Sequence, residues 1–525
     1  MPLFSEALGL ARFATGLRAF ARSPIDAAEA RRIVAERMRT RDQRFLALLD
    51  AVVWPRPANP FHRLLAHAGV EAGDVHRLVE REGLEGTLGS LAREGVHVTW
   101  EEMKGRAPAR RGSRTFHFRD ADFDNPLIRP HYIGRSGGTL GPAVRVKVDL
   151  AFQAESAPGL AVWLDEQGWQ GRPLLFWTPA HAGLANRYLM FAKIGYPYRR
   201  WFAMSDMRTL ADRLRSGAVH RLSQRLLAFP AAEPADLGHA ERVLDGLLER
   251  LDRGERPLVN TAPSAAARLA QLALARGRPL AGVSFLLGAE PVTAERRVAI
   301  EASGAEAWPT YGSSETGWVG SQFAGARAYD EVHVFRDSWA VVPRASDAAA
   351  VNVPAPILFT TLVRAAPKVL LNAEIGDSAC FAHAPDSVPA RRFGYDLTLH
   401  TIRSFRKLTA FGVTLAIADL YGIVESELPR RFGGQVGDYQ LIESQDEGGV
   451  SRLTLRITPD IGPVDEHAVR EALLEAIGRQ RHYYGFMSDM LRRADAVGVE
   501  RRTPERTVAG KLLPVVPARA ESKSP

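Results

Sequence analysis

The chain has 525 residues, too many for one ordinary hydrophobic core, and 46% of them are hydrophobic, so a globular protein of several domains or subdomains is expected and a disordered one is excluded. The net charge of +8 comes from arginines and lysines scattered along the whole sequence, without basic blocks interleaved with aromatics, which argues against a nucleic-acid partner. A single cysteine, Cys380, excludes disulfides within the chain, disfavours a zinc site and suits a reducing cytoplasm. The first 23 residues are amphipathic and lack the long apolar core and cleavage site of a secretory signal, and no run of about 18 apolar residues occurs, so neither export nor a membrane span is expected.

Residues 4–53 read as helices, with Ile33, Val34, Met38, Phe45, Leu46 and Leu49 at close to helical spacing. Asn59-Pro60 interrupts the pattern, and short helices joined by glycine turns follow to about residue 105. Residues 106–125 read as a loop with a strand at Thr115–Phe118. Next comes Ser136-Gly137-Gly138-Thr139-Leu140-Gly141-Pro142-Ala143, before the β-prone run Val144–Leu150. Glycine leaves backbone N–H groups uncovered and permits positive φ, so this stretch is either a hairpin turn or a cradle for an oxygen-rich anion. It is not a Walker A loop, because no Gly-Lys-Ser/Thr follows at the required spacing.

Leu174–Trp177, bounded by prolines, predicts a buried strand, Gly183–Ile194 and Met207–Leu214 predict helices, and the charged stretch 230–256 is helical. From residue 258 strands and helices alternate. Leu258–Thr261, Val283–Leu287 and Ala307–Tyr311 are strands; Ser264–Arg276, capped near Thr261 or Ser264, and Thr293–Ser303, capped by Thr293, are helices. Alternation of this kind argues for an α/β protein with a largely parallel sheet, whose ligands sit at the carboxyl ends of the strands. Gly288-Ala289-Glu290 and Tyr311-Gly312-Ser313-Ser314-Glu315 both follow such ends. Residues 330–375 read as an antiparallel β region. Beyond a boundary near 403–412, GVTLAIADLYGIVESEL reads as strand then helix, DYQLIES and SRLTLRI as a hairpin, and Asp465–Gln480 as a helix presenting Val469, Leu473, Leu474 and Ile477 on one face.

Five short elements thus occur in order: SGGTLGPA (136–143), GAEP (288–291), YGSSETG (311–317), IGD (375–377) with Arg403 beyond it, and Gly510-Lys511. Their order resembles the adenylate-forming superfamily of acyl-CoA ligases, adenylation domains and luciferases. GAEP, YGSSE, the Pro60-Phe61-His62-Arg63 start and the late hairpin resemble most its phenylacetate–CoA ligase-like branch. The resemblance covers about residues 55–515. It implies a large N-terminal domain, residues 1–405, with mixed, largely parallel sheets flanked by helices plus a β region, and a small mobile α+β C-terminal domain, residues 406–525, carrying Lys511. It implies ATP and Mg²⁺ as cofactors, a small carboxylic acid, with an aromatic acid the first guess, as substrate, CoA or a carrier protein as acceptor, and a homodimer.

By the same resemblance, Ser136, Gly137, Gly138, Thr139 and Gly141 would cradle the β- and γ-phosphates. Gly288, Ala289 and Glu290 would line the adenine, and Tyr311 would stack on it beside Gly312. Ser313 or Ser314 would lie near the α-phosphate. Glu315, with Thr139, would bind Mg²⁺, since a hard cation prefers carboxylate oxygen. Asp377 would accept from the ribose hydroxyls, Arg403 would help hold the nucleotide, and Lys511 would bridge the acid and ATP. Trp177, His181, Asn186, Tyr188, Trp308 and Gly317 are read either as walls of the acid pocket or as packed core. The sequence departs from the family in placing Val144 where the phosphate loop normally ends in a cation. It also shows Ser404-Phe405-Arg406-Lys407 after Arg403, where paired acids are usual. That departure leaves a non-CoA acceptor, such as an amine or a carrier-protein thiol, as an alternative. A non-catalytic nucleotide-binding relative is a further one.

Overall fold

A computed structural model describes residues 2–135, 145–178, 182–204, 221–227, 229–235, 239–344, 354–404, 407–410, 413–445, 451–480, 488, 491–492, 495–506 and 512–516. The glycine-rich stretch 136–143 with Ser136, Gly137, Gly138, Thr139 and Gly141, the His181 position, the helix expected at Met207–Leu214, Phe405-Arg406 and Lys511 lie outside these residues.

The centre of the chain is one twelve-stranded sheet. In chain order its strands are Leu174–Thr178 (β1), Arg200–Ala203 (β2), Ala232–Pro234 (β3), Leu258–Thr261 (β4), Ser284–Leu287 (β5), Glu306–Ser313 (β6), Gly317–Ser321 (β7), Val332–Val334 (β8), Trp339–Pro343 (β9), Ala355–Thr361 (β10), Ala373–His383 (β11) and Leu397–Ser404 (β12). They lie in the order β9-β10-β11-β12-β8-β7-β6-β5-β4-β1-β2-β3. From β3 to β6 every neighbour is parallel. From β6 to β9 every neighbour is antiparallel. The chain is therefore α/β with a mixed sheet, and β6 is where its two halves meet.

Parallel strands buried on both faces read as unbroken apolar runs, and β1, β4 and β5 are buried throughout. The two-residue period of a strand sends Leu174, Phe176, Leu258 and Leu286 into one core and Leu175, Trp177, Val259, Phe285 and Leu287 into another. The first core is covered by helices Pro2–Arg22, Ala27–Arg39, Leu150–Glu166 and Ala182–Lys193, the second by Ala240–Asp252, Pro263–Ala275 and Ala294–Glu301. The antiparallel half packs on helices drawn from residues 41–103.

Several expectations need correction. Within the stretch 230–256 an α-helix spans Ala240–Asp252, whereas Ala232–Pro234 pairs in parallel with β2, because Pro230 and Pro234 disfavour a helix there. The strand expected at Thr115–Phe118 is one arm of a short hairpin, Ala109–Arg111 with Arg114–Phe116. Helix Pro263–Ala275 has neither Thr261 nor Ser264 as its cap; the Glu290 carboxylate, from elsewhere in the chain, accepts from the Ser264 N–H. Helix Leu150–Glu166 was not expected at all, and starts where the Asp149 carboxylate accepts from the Ala151 and Phe152 N–H groups.

Near the C-terminus, Tyr439–Gln445 and Ser451–Ile457 form the expected hairpin, with Leu441 opposite Leu455. Val497–Arg501 runs parallel along one arm and Val515–Val516 along the other. Helix Glu466–Gln480 buries Val469, Leu473, Leu474 and Ile477 over this sheet.

Candidate functional site

β6 ends in a tight turn into β7, and the turn is built from the Tyr311–Gly317 motif. A Cβ at Gly312 would sit 2.2 Å from the carbonyl oxygen of Gly317, so only glycine permits the two strands to close here. The Ser313 hydroxyl accepts from the Glu315 and Thr316 N–H groups, both at 3.1 Å, which shapes the turn and leaves Ser314 as its exposed serine. Tyr311 is half-buried, tilted against Phe359, and donates its hydroxyl to Asp377 Oδ2 at 2.9 Å. Burial, and then the neighbouring Asp377 charge, push the phenol far above its ordinary range, so it stays a donor. Tyr311 on β6 and Asp377 on β11 are thus brought together from 66 residues apart.

Glu315 is buried and pairs through Oε1 with Lys104 Nζ at 2.8 Å; the same ammonium holds Asp120 Oδ1 at 2.8 Å. Lys368 then bridges Asp120 and Asp124, and Lys147 reaches Asp124 at 2.9 Å, giving an alternating row of lysines and carboxylates. Burial works against the Lys104 charge, yet Glu315 and Asp120 hold its pKa above the usual value. Burial likewise opposes the Asp120 charge, but Lys368 and Lys104 bring its pKa down to about 2. Sequence reasoning missed Lys104: nothing local marks a lysine whose partner lies 211 residues on. Mg²⁺ is commonly held by one or two carboxylates together with phosphate oxygens and water. Glu315 fits that role on one side only, since Oε1 faces Lys104 while Oε2 meets no protein donor among the described residues.

After β5 the chain turns through Gly288-Ala289-Glu290. A Cβ at Gly288 would lie 2.8 Å from Thr310 Oγ1, so this turn is pressed against β6, and Ala289 takes the left-handed conformation at φ 72°. Glu290 does not face outward as an adenine-lining carboxylate would. Its side chain is fully buried and accepts from Ser264 N–H and Oγ, from Arg296 Nη1 at 2.8 Å, and from the Leu512 N–H at 3.0 Å. Arg296, 1% exposed, also holds Glu425 Oε1 at 2.8 Å and donates to the Leu512 carbonyl at 3.0 Å. Burial raises the pKa of Glu425, and Arg296 pulls it back. The residue following Lys511 is thereby fixed against the Gly288–Glu290 turn through both its amide groups.

Arg403 also differs from expectation. Its guanidinium pairs with Asp330 Oδ2 at 3.0 Å, donates to the Tyr329 hydroxyl at 3.0 Å and packs over the Tyr421 ring, so its charge is met by protein. Trp177 and Tyr188 are core residues rather than pocket walls. Trp177 is fully buried with its indole N–H on the Ala235 carbonyl, and Tyr188 is 1% exposed among Tyr198 and Phe229. Trp308 stacks edge-on to Trp169 and borders a cleft of about 250 Å³ with Glu306, Gln322 and Phe323. That cleft lies toward the start of β6, the wrong end of a parallel strand for a ligand. Gly317 is the far side of the β6–β7 turn, and Asn186 bonds Gln153 inside the fold.

No family model matches the chain, and no curated protein matches it. Among solved structures it is similar to an open conformation of 2-hydroxyisobutyryl-CoA ligase in complex with 2-HIB-AMP and CoA, at 15% identity over 95% of this chain and 93% of that one, TM-score 0.46. It is similar to the anthranilate CoA ligase AuaEII in complex with anthranoyl-AMP, at 12% identity, 72% and 65% coverage, TM-score 0.45. The amide bond synthetase McbA from Marinactinospora thermotolerans matches at 13% identity, 87% and 91% coverage, TM-score 0.40. Identities and TM-scores this low carry nothing about chemistry.

Proposed function

We propose that this chain is an ATP-dependent adenylate-forming ligase that converts a carboxylic acid, aromatic by the resemblance above, to an acyl-AMP and passes the acyl group to CoA. What supports the reading most is one neighbourhood: the Tyr311–Asp377 pair, the Gly288–Glu290 turn and the clamped main chain of Leu512 lie together where the parallel strands end. Those are the places where such a reaction needs a nucleotide seat and a mobile cation.

In the first step a carboxylate oxygen attacks the α-phosphorus, the bond to the bridging oxygen of the β-phosphate breaks, and pyrophosphate leaves. Asp377, beside the Tyr311 hydroxyl, accepts from the ribose hydroxyls, and the Tyr311 ring offers its face to the base. The residues between Ser136 and Gly141 would supply N–H groups to the β- and γ-phosphates. Lys511 would place its ammonium between acid and α-phosphate, where negative charge develops. Magnesium bound at Glu315 Oε2 would neutralise triphosphate charge. In the second step the thiol sulfur attacks the acyl carbon, loses its proton, and AMP departs with the electron pair of the broken anhydride bond.

A second acceptor is favoured by one observation: no acid occurs in Ser404-Phe405-Arg406-Lys407, and Arg403 is already paired with Asp330. An amine or carrier-protein thiol would then take the acyl group. Pyrophosphate release across a panel of acids, with and without CoA, tests both readings. Release with an acid and a thioester product with CoA supports the first, and release without a thioester supports the second. Tight ATP binding without turnover on any acid would leave only a non-catalytic nucleotide-binding protein.

A further inference from the structure

We infer that Arg187 and Asn260 form a second anion site beside the proposed reaction centre, and that the acid substrate carries a remote carboxylate that this pair holds. The inference rests on the ligase reading and narrows its substrate to dicarboxylic acids.

Arg187 projects from helix Ala182–Lys193 onto the sheet. Its Nη1 donates to Asn260 Oδ1 at 2.8 Å, and its guanidinium lies over the Trp318 ring at 5.4 Å. Arg296, Arg403, Arg41 and Arg111 each meet a carboxylate on entering the fold. Among the described residues Arg187 meets none. A guanidinium has five N–H donors, and the neutral amide of Asn260 engages one of them. Burial alone brings its pKa down to about 10, which reflects a cation whose charge no acid offsets.

Asn260 supplies the second observation. It is 0% exposed, and its Nδ2 has no hydrogen-bond partner among the described residues. A buried donor left unsatisfied costs stability, and native folds rarely retain one without cause. Because Oδ1 of the same amide accepts from Arg187, Nδ2 lies alongside the guanidinium. The two groups together bring several N–H donors to one place, a set that suits a carboxylate.

The position separates this site from the nucleotide seat. Tyr311 packs with the core on one face of the sheet, whereas Asn260 sits between Leu258 and Leu286 strand positions whose side chains share the Trp318 core on the other. Gly288 adjoins both sides: a Cβ there would fall 2.8 Å from Oγ1 of Thr310, the residue before Tyr311, and in contact with Arg187 Nη2 at 3.5 Å. A substrate lying across Gly288 would have its reacting carboxylate near the strand ends and its second acid on Arg187, with the Trp318 ring against its body.

The test measures pyrophosphate release for dicarboxylates from succinate to suberate and for the three benzenedicarboxylates, each beside its monoacid of equal length. The wild-type chain should favour a dicarboxylate in kcat/KM. Arg187→Met should lower the ratio of dicarboxylate to monoacid about 10- to 150-fold, the range of a lost charge-assisted hydrogen bond, chiefly through KM. Arg187→Lys should recover part of the ratio. Equal losses for both acids, a wild-type preference for monoacids, or a raised KM for ATP instead of the acid would overturn the inference; the last would mean that Arg187 serves a nucleotide phosphate. If no acid releases pyrophosphate, the ligase reading fails, and thermal shift decides the site. Stabilisation by a dicarboxylate in the wild-type chain but not in Arg187→Met upholds it, and no stabilisation overturns it.

Discussion

Replacing Arg296 with methionine should be among the costliest single substitutions in this protein. The guanidinium is 1% exposed and serves two carboxylates that are no better solvated, Glu290 at 0% and Glu425 at 1% by side chain. Removing one partner of a buried ion pair costs about 3–5 kcal/mol, because the charge left behind is neither paired nor hydrated. The loss falls unevenly. Glu290 keeps the Ser264 N–H and Oγ and the Leu512 N–H, while Glu425 keeps only the Thr293 hydroxyl among the described contacts. Glu425 therefore carries most of the penalty, and adding Glu425→Gln to Arg296→Met should recover most of it. Urea unfolding followed by tryptophan fluorescence reads both effects as a shift in midpoint at constant slope. The deficit should also depend on pH. The folded-state pKa of Glu425 already lies above its ordinary 4.5 through burial, so its charge penalty is absent below that value and grows as pH rises through the folded one. Without Arg296 the folded value climbs further, so the deficit should shrink on acidification. A loss below about 1 kcal/mol, the level of an exposed pair, or a double variant no better than the single, would refute the buried-charge account.

Asp377→Ala should raise the Kd for ATP about 10- to 150-fold by removing a charged hydrogen-bond acceptor, read by calorimetry; unchanged affinity would remove Asp377 from the ribose. Lys511→Ala should cut adenylate formation by orders of magnitude with an unaltered circular dichroism spectrum, and an unchanged rate would mean the cation comes from elsewhere. Lys104→Met should make the fold more sensitive to acid. The Asp120 pKa is about 2 against an ordinary 3.8, so its stabilising contribution is present above 3.8 and disappears as pH falls through 2. Removing one of its two lysines should move the acid-unfolding midpoint upward, and a fixed midpoint would show that Lys368 alone suffices.

The alternation of strand and helix from 258 to 313 was legible because short, fully buried strands rich in Leu, Val and Phe, such as Leu258–Thr261 and Ser284–Leu287, are each closed by a turn signal before the next helix. The β6–β7 turn was legible from the same motif that forms it. Helix Leu150–Glu166 was not, because it is buried nearly all round and holds Pro158 and Gly159, so neither helical periodicity nor propensity marks it. Glu290 was legible as a glutamate at a strand end, but its partners are 26 and 222 residues away, and no local pattern tells a clamp from a ligand-facing carboxylate. The aromatic residues proposed for a pocket, Trp177 and Tyr188, read the same in sequence whether they face a cavity or fill a core.

Leu512 is held at both its N–H, by Glu290, and its carbonyl, by Arg296. The two peptide units flanking Leu512 are each held by a buried charged side chain, so Leu512 stays on the Gly288–Glu290 turn whenever the grip is closed. At about 1.5–3 kcal/mol for each charge-assisted contact, the released form would make up roughly one molecule in 10² to 10⁴. Any step that needs this segment elsewhere must draw on that minority. The strength of two hydrogen bonds outside the reacting atoms would then set a ceiling on turnover.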